Sequence, residues 1–140
     1  INRYIVALRR KHVCPQQIPK GPQGVRGLID LLRRKGHIAM LVDQKMNDGI
    51  PVPFFGRDAM TAPAMAELAL RKRCPLVPAR IERLKGAHFR LTVEPPLELP
   101  HSGDGAADVR ALMLMVNQRL EAWISDRPEQ WLWTHNRWPD

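Results

Sequence analysis

The feature that most constrains the fold is an apolar run at residues 37–43, with the sequence HIAMLVD. It lies between a helical pattern that ends at Gly36 and a polar loop, and polar residues do not alternate along it. Such a run between helices is typical of a central parallel strand buried on both faces. A buried helical turn is the alternative, but Gly36 and the loop leave too few residues for it. The run therefore predicts a parallel strand.

Helical patterns stand on both sides of this run. Residues 1–11 are rich in helix formers, and a loop rich in proline and glycine follows them. From Gly24 the apolar residues recur at helical spacing, and Arg33-Arg34-Lys35 precede the stop at Gly36. Thr61 is expected to cap the next helix, with Pro63 in its first turn. The longest pattern, at residues 107–125, predicts a helix with one apolar side formed by Val109, Leu112, Met113, Val116, Leu120, Trp123 and Ile124.

Two further segments, residues 76–82 and 89–94, have the character of strands. In the second, Phe89, Leu91 and Val93 alternate with polar residues, as in a half-buried antiparallel strand. The order of elements predicts an α/β fold, a mixed sheet with an antiparallel edge and flanking helices. Ligands of open sheets bind beyond the carboxyl ends of the parallel strands. We therefore expect a binding site at Asp43, Gln44 and the long loop of residues 44–60.

Charge and cysteine content limit the partners. The chain carries 22 Lys and Arg against 14 Asp and Glu, a formal net charge of +8. Nucleic acid, anionic lipid head groups and acidic carrier proteins all suit such a charge. Cys14 and Cys74 form no CxxC pair, so we expect reduced thiols and neither a zinc knuckle nor a redox motif. No stretch reaches the roughly 20 apolar residues that cross a bilayer, and Ile1 in place of Met favours a fragment.

Each candidate site residue has a structural and a functional interpretation. Asp43 would orient a histidine, bind a metal, or cap its own loop through backbone hydrogen bonds. Phe54 and Phe55, between prolines and Gly56, would be partly exposed to a hydrophobic substrate, or would plug the loop against the sheet. Thr61 at a helix start would offer backbone N–H groups to an anion.

Cations and tryptophans complete the set of candidates. Each cation alone is typical of a solvated surface, and together they form a positive one: Lys20, Arg26, Arg33, Arg34, Lys35, Arg71, Lys72, Arg73, Arg80 and Arg83. The tryptophans of the closing segment, Trp131, Trp133 and Trp138, would form an interfacial belt near a membrane or pack in the core.

Several blocks occur in an order that is familiar. They are Leu41-Val42-Asp43-Gln44, then GIPVPFFGR at residues 49–57, then Ala59 and Thr61, CPLVP at residues 74–78, and PEQWLWTHNRW at residues 128–138. From about Pro19 to Trp138 the chain resembles the lipid A biosynthesis lauroyl/myristoyl acyltransferases, of the lysophospholipid acyltransferase-like superfamily. The closing motif of that family reads Trp-x-His-Arg-Arg-Trp, and here Asn136 replaces one arginine, which weakens a carried-over phosphate contact.

The resemblance implies a glycerolipid-acyltransferase-like mixed sheet, with residues 1–140 as the C-terminal part of a single acyltransferase domain. It implies transfer of a fatty acyl chain from acyl carrier protein to a hydroxyl of a phosphorylated glucosamine lipid, without cofactor or metal. The place of action would be the anionic cytoplasmic face of the bacterial inner membrane, with the protein peripheral or anchored by a preceding segment. Substrate-binding residues would be Lys20, Arg26, Asp43, Gln44, Phe54, Phe55, Gly56, Arg57 and Thr61.

The catalytic base is expected elsewhere. The family carries a His-x4-Asp/Glu motif well before its Asp-Gln block, and this sequence has none there, so we expect the base upstream of Ile1 and the fragment alone to be inactive. His135 and Asp140 have the spacing of that motif. We interpret them as a decoy, because tryptophans and Pro139 crowd a segment that has no element to fix both side chains.

Three alternatives remain open from the sequence. In the first alternative, the chain is an acyltransferase of the same kind whose acceptor is another membrane lipid, such as a phosphatidylinositol mannoside or an ornithine lipid. A basic nucleic-acid-binding module is the rival from another class, but the aromatics cluster in one loop and one tail and do not interleave with cations on a strand. We therefore expect no nucleic-acid partner. The third alternative is a purely structural fragment.

Overall fold

The computed structural model describes residues 2–12, 18, 22–134 and 136–138. The chain divides into two compact units, Ile1–Ala39 and Met40–Asp140. The first unit contains helices α1 (Asn2–His12) and α2 (Pro22–Arg33). The second contains strands β1 (Ile50–Phe54) and β2 (Arg57–Thr61), helix α3 (Ala64–Lys72), strands β3 (Ala79–Arg83) and β4 (Phe89–Val93), helix α4 (Gly105–Asp126) and a 3-10 turn (Pro128–Gln130).

Helix α2 ends close to the predicted stop. Lys35 takes the left-handed conformation with φ of 59°. The N–H of Lys35 donates to the carbonyl of Leu32 at 3.0 Å, and that of Gly36 donates to the carbonyl of Leu31 at 2.9 Å. These two bonds form a Schellman motif, which satisfies carbonyls that the helix leaves open. Gly36 thus follows the left-handed residue and does not itself occupy that position.

The α/β class is confirmed, but the parallel strand predicted at residues 37–43 is wrong. Residues 36–42 form no strand, and Asp43 and Gln44 lie in a bend. Leu41 is 82% exposed, whereas Val42 packs partly against the core. The strands of the described residues form two antiparallel pairs, β1–β2 and β3–β4. Hairpin partners are adjacent in sequence and close a short loop, whereas a parallel strand needs a distant partner.

Strand β1 lies inside residues 44–60, for which the sequence predicts a loop. A two-residue connection joins it to β2, with Phe54 opposite Arg57 and Ile50 opposite Thr61. In such a hairpin the hydrogen-bonded pairs alternate from the turn, so Pro51 and Pro53 fall at positions that donate nothing to the ladder. Two prolines are therefore compatible with this strand.

Helix α4 covers the hairpin. The carbonyl of Pro53 accepts a hydrogen bond from Asn117 Nδ2 at 3.0 Å, and the carbonyl of Pro51 accepts one from Arg110 Nη1. The apolar side predicted for this helix is confirmed. The core that it closes with β1, β2 and α3 consists of Val52, Phe54, Ala59, Met65, Ala66, Ala69, Leu112, Met113, Val116, Leu120 and Ile124.

The hairpin of β3 and β4 confirms two strands and reverses the expected burial. Phe89, Leu91 and Val93 are exposed, whereas Glu82 is buried. The carboxylate of Glu82 pairs with Arg80 and with Arg127, both at 3.4 Å. The inner face is therefore polar, and the expectation that the alternating apolar residues of β4 point into the core is wrong.

The start of α4 is fixed by two aspartates. Asp104 Oδ1 accepts hydrogen bonds from the N–H groups of Ala106 at 2.9 Å and Ala107 at 3.1 Å. Asp108 Oδ1 accepts from the hydroxyl of Ser102 at 2.7 Å and from its backbone N–H at 2.9 Å. These bonds satisfy helix donors and tie the preceding loop to the first turn.

Replacing the cap tests this arrangement. Asp104→Ala is expected to lower the free energy of unfolding by about 1 kcal/mol, because two helix donors lose their acceptor. Urea denaturation measures the change. Asp104→Asn keeps an acceptor oxygen and should stay near wild type; an equal loss in both variants would contradict the capping role.

The second aspartate predicts a pH dependence. The hydroxyl of Ser102, and then its N–H, lower the pKa of Asp108 below its ordinary value. A lowered folded-state pKa gives stabilisation that is present above the unfolded pKa of about 3.9 and is lost as the pH falls through the folded pKa. Unfolding free energies measured from pH 7 downwards should therefore fall less steeply in Asp108→Asn than in wild type. Parallel curves would contradict this.

Candidate functional site

The turn between β1 and β2 presents an aromatic side chain to solvent. Phe55 and Gly56 have φ of 49° and 73°, and positive φ at both central residues is typical of a type I′ turn. This conformation is unfavourable for a bulky residue such as phenylalanine. The N–H of Phe55 donates to Glu121 Oε1 of α4 at 2.7 Å. A carboxylate thus holds the strained turn, and Phe55 stays 39% exposed.

Phe54, one residue earlier, is 1% exposed and forms the centre of an aromatic cluster. Its ring stacks on Trp138 with centroids 5.6 Å apart and lies 6.2 Å from Trp131. The indole N–H of Trp138 donates to the carbonyl of Phe54 at 3.1 Å. The expectation of exposure is therefore wrong for Phe54, which plugs the loop against the core, and confirmed for Phe55. The adjacent Arg57 lies over the same Trp138 ring at 6.0 Å and is exposed.

Arg137 is a buried cation beside this cluster. Its Nη2 donates to Thr61 Oγ1 at 3.0 Å and to Asn117 Oδ1 at 3.3 Å. Its guanidinium lies 4.2 Å from the centroid of the Phe54 ring. The carbonyl of Arg137 also accepts a hydrogen bond from the N–H of Met60 at 3.1 Å, which aligns the tail beside β2.

The charge of Arg137 acts on Asp43. Burial lowers the pKa of Arg137, and the carboxylate of Asp43 opposes that shift. Nε and Nη1 of Arg137 and Oδ1 of Asp43 are buried without a hydrogen-bond partner. Unsatisfied buried polar atoms are costly and uncommon in native structures, and each one asks for an explanation. Arg137 is thus a buried cation with unused donors whose charge interacts with that of Asp43, which makes this region a candidate functional site.

Thr61 does not cap a helix. It pairs with Ile50 as the last residue of β2 and is fully buried. Its hydroxyl donates to the carbonyl of Ala59 at 3.0 Å and accepts from Arg137 and Asn117. Pro63 occupies the N-cap of α3 and makes no side-chain capping bond. The predicted cap is wrong because strand pairing extends through Thr61, and its hydroxyl serves Arg137.

The loop that carries Asp43 and Gln44 is hydrogen-bonded to β2 and to the closing tail. The N–H of Met46 donates to the carbonyl of Met60 at 3.3 Å, and Lys45 Nζ donates to the carbonyl of Trp138 at 3.5 Å. A Cβ at Gly49 would lie 2.4 Å from the carbonyl oxygen of Thr61, so only glycine fits there. Asp43 is partly buried in this loop, whereas Gln44 is exposed.

The structure thus joins part of the predicted site. Thr61 accepts a hydrogen bond from Arg137, whose charge interacts with that of Asp43. Phe55, Gly56 and Arg57 lie in or beside the β1–β2 turn next to Phe54. Arg26 is exposed on α2 in the other unit. Lys20, His135 and Asp140, and with them the proposed decoy pair, lie outside the described residues.

Sequence reasoning assigned no site role to Arg137, Asn117 or Glu121. One signal was present. Asn117 follows Val116 within the apolar pattern of α4, where a polar residue needs a buried partner. The partners of Arg137 and Glu121 are distant in sequence, so no local pattern indicated them.

Comparison with known families identifies the chain. The family described as bacterial lipid A biosynthesis acyltransferase matches residues 1–140. The chain belongs to this family. The comparison with curated proteins gave no match. In the part of this acyltransferase that the structure describes, no helix is both long and apolar enough to cross a membrane.

The buried cation of this acyltransferase gives a stability test. Arg137→Met removes the charged donor to the buried Thr61 and Asn117 and leaves their oxygens without that partner. We expect the free energy of unfolding to fall by about 3 kcal/mol, because two hydrogen bonds to a charged group are lost. The matched control is Arg57→Met, which removes an exposed arginine beside the same Trp138 ring and should cost less than about 1 kcal/mol.

A double-mutant cycle isolates the pair. Asp43→Asn in the Arg137→Met background should restore part of the lost stability, because the isolated carboxylate is then gone. Strict additivity of the two substitutions would show that Asp43 and Arg137 do not interact.

Proposed function

We propose that this acyltransferase moves a fatty acyl chain from acyl carrier protein to a hydroxyl of a phosphorylated glucosamine lipid. The family supports lipid A biosynthesis as the setting. The proposed donor and acceptor are supported by the β1–β2 turn, where the exposed aromatic Phe55 and the exposed cation Arg57 lie near each other. An amphiphile with an acyl chain and a phosphate matches such a pair.

In this proposal, Phe55 and Gly56 contact the apolar acyl chain of the substrate. Nothing lies within 4 Å of a Cβ built on Gly56, so a ligand can approach the backbone closely there. The Phe55 ring packs edge-on against the Phe54 ring with centroids 4.8 Å apart, and the bond from its N–H to Glu121 holds the turn, so the partly exposed ring has a fixed position. A fixed aromatic at the surface binds an alkyl chain with little loss of side-chain entropy.

In this proposal, Arg57 binds the phosphate of the acceptor. A guanidinium donates two parallel hydrogen bonds to phosphate oxygens, and these bonds are stronger than those between neutral groups. The ring of Trp138 at 6.0 Å supports the guanidinium from one side. Because Trp138 is fixed to the carbonyl of Phe54, the cation has a defined position relative to the turn.

Asp43 and Gln44 form the floor of the site in this proposal. Arg137 holds Asp43 through charge, so Asp43 acts as a positioning residue. Transfer joins the acceptor oxygen to the acyl carbonyl carbon, breaks the bond from that carbon to the sulfur of the donor, and passes the hydroxyl proton to the leaving thiol through a general base. We assign that base to none of the described histidines.

The positive charge supports the donor and the location. A formal net charge of +8 steers an acidic carrier protein and favours the anionic surface of the inner membrane, which we propose as the place of action on its cytoplasmic face. Exposed cations of the second unit include Arg71, Arg73, Arg90 and Lys85.

Arg57 provides the test of the proposal. In the full-length protein, Arg57→Gln should raise KM for the phosphorylated acceptor by about tenfold, since one charge-assisted contact contributes about 1.4 kcal/mol or more. Arg57→Lys should recover part of the loss. Arg71→Gln, which removes an exposed cation from the last turn of α3, is the matched control and should leave KM unchanged.

A dephosphorylated acceptor separates the alternatives. Wild type and Arg57→Gln should use it with equal KM. If Arg57→Gln weakens both acceptors alike, the phosphate contact is disproved. If an unphosphorylated membrane lipid is acylated as fast as the lipid A precursor, the acceptor is another lipid.

A further inference from the structure

The outer face of the β3–β4 hairpin, defined by Ile81, Phe89, Leu91 and Val93, is an exposed apolar surface that the proposed acyltransferase site does not use. We propose that this face docks on an anionic lipid surface. The inference rests on the proposed function in one respect, namely that the acceptor is a membrane lipid. It gives that function a second contact, separate from the β1–β2 turn.

The face is continuous and open to solvent. Ile81 is directly opposite Leu91 in the register, and Val93 is opposite Ala79. Ile81, Leu91, Val93 and Phe89 are 68, 66, 60 and 50% exposed. Cross-strand neighbours are about 5 Å apart, so these side chains form one patch. Exposed contiguous apolar patches mark sites of interaction with proteins, ligands or membranes.

Polar contacts on the opposite face fix this orientation. Glu82 is 6% exposed and pairs with Arg80 and Arg127, and Arg80 also pairs with Asp126 at 3.1 Å. The side-chain amide of Gln130 bonds both the N–H and the carbonyl of Arg83, at 2.9 and 3.0 Å. A slip of one residue would exchange the two faces. It would break these bonds and expose Glu82 beside the apolar patch, so the outward apolar face is specified.

The charges around this face favour an anionic partner. Arg83 lies over the Phe89 ring at 4.8 Å on this face, and Lys85 is exposed in the connection between the two strands. The nearby acids are engaged elsewhere, because Glu82 is buried and Glu94 pairs with Arg119 at 3.0 Å. Apolar side chains with a rim of cations suit the boundary between anionic head groups and acyl chains. The long stems of Arg83 and Lys85 let their charges reach the head groups while the patch is buried.

Vesicle binding tests the proposal. The full-length protein is mixed with vesicles of phosphatidylcholine alone or with about one third phosphatidylglycerol, and the bound fraction is measured by flotation. Wild type should bind the anionic vesicles more tightly. Ile81→Ser with Leu91→Ser should weaken binding by at least about tenfold, since burial of one such side chain is enough for that factor. Arg83→Gln with Lys85→Gln should weaken binding to anionic vesicles alone.

The matched control is Leu132→Ser, which removes a side chain as exposed as Leu91 from outside the hairpin. It should bind like wild type. Both residues of the double variant are largely exposed, so its circular dichroism and unfolding midpoint should match wild type. Equal binding by wild type and the double variant, or an equal loss in Leu132→Ser, would overturn the proposal.

A labelling experiment identifies any other occupant of the face. Leu91→Cys should react with a water-soluble thiol reagent in the absence of vesicles and be protected in their presence, with the wild-type cysteines as the background. Protection without vesicles would show that protein covers the face and would overturn the proposal. Protection that increases with protein concentration would identify a second copy as the cover.

The two proposals fail separately. The hairpin variants should keep wild-type activity on a detergent-dispersed acceptor, whereas Arg57→Gln should bind vesicles like wild type. Loss of activity in detergent would place the hairpin in the substrate site and not on the membrane. Normal vesicle binding without any acyl transfer would leave the docking face standing and reject the proposed reaction.

Discussion

The buried guanidinium of Arg137 is the interaction on which the second unit depends. It joins three parts of the chain that are distant in sequence: the closing tail, the end of β2 at Thr61 and helix α4 at Asn117. Its charge also interacts with that of Asp43. Burying a cation is costly, and burial lowers the pKa of this one. The cost is offset by two hydrogen bonds, by the ring of Phe54 at 4.2 Å and by the opposing charge of Asp43. Removing any partner leaves the others unsatisfied.

The β1–β2 hairpin shows how one local motif serves both stability and function. Pro51 and Pro53 donate nothing to the ladder, and their carbonyls accept from Arg110 and Asn117 of α4. The two phenylalanines that follow therefore have opposite roles. Phe54 packs among the tryptophans of the tail, whereas Phe55 packs edge-on against Phe54 and stays partly exposed. We propose that this exposed part of Phe55 contacts the acyl chain.

The second hairpin follows the opposite rule of burial. A soluble hairpin usually covers its apolar face, yet β3 and β4 cover Glu82 and leave Ile81 and Leu91 outside. Ion pairs and the amide of Gln130 fix this choice. In our proposal, such a face brings this acyltransferase to the surface where its lipid acceptor resides. The proposed membrane docking and the proposed substrate contact then lie on different hairpins.

The sequence by itself determined the elements whose signals are local. Helical periodicity and capping placed α2 and α4, alternation placed β4, and the ordered motifs from Asp43 to Trp138 indicated the family. Only the tertiary structure decided which surfaces meet. Alternation defines two faces of a strand but not which one is buried, so the orientation of β4 was wrong. The apolar run at residues 37–43 predicted a buried strand, but it could not show whether a partner strand pairs with it, and in the structure it forms no strand. Pro51 and Pro53 made the segment of β1 resemble a loop, so the strand was not predicted. Thr61 ends β2 and caps no helix, because Ile50 pairs with it. Arg137 had no signal, because a buried charge is explained only by the distant groups that surround it.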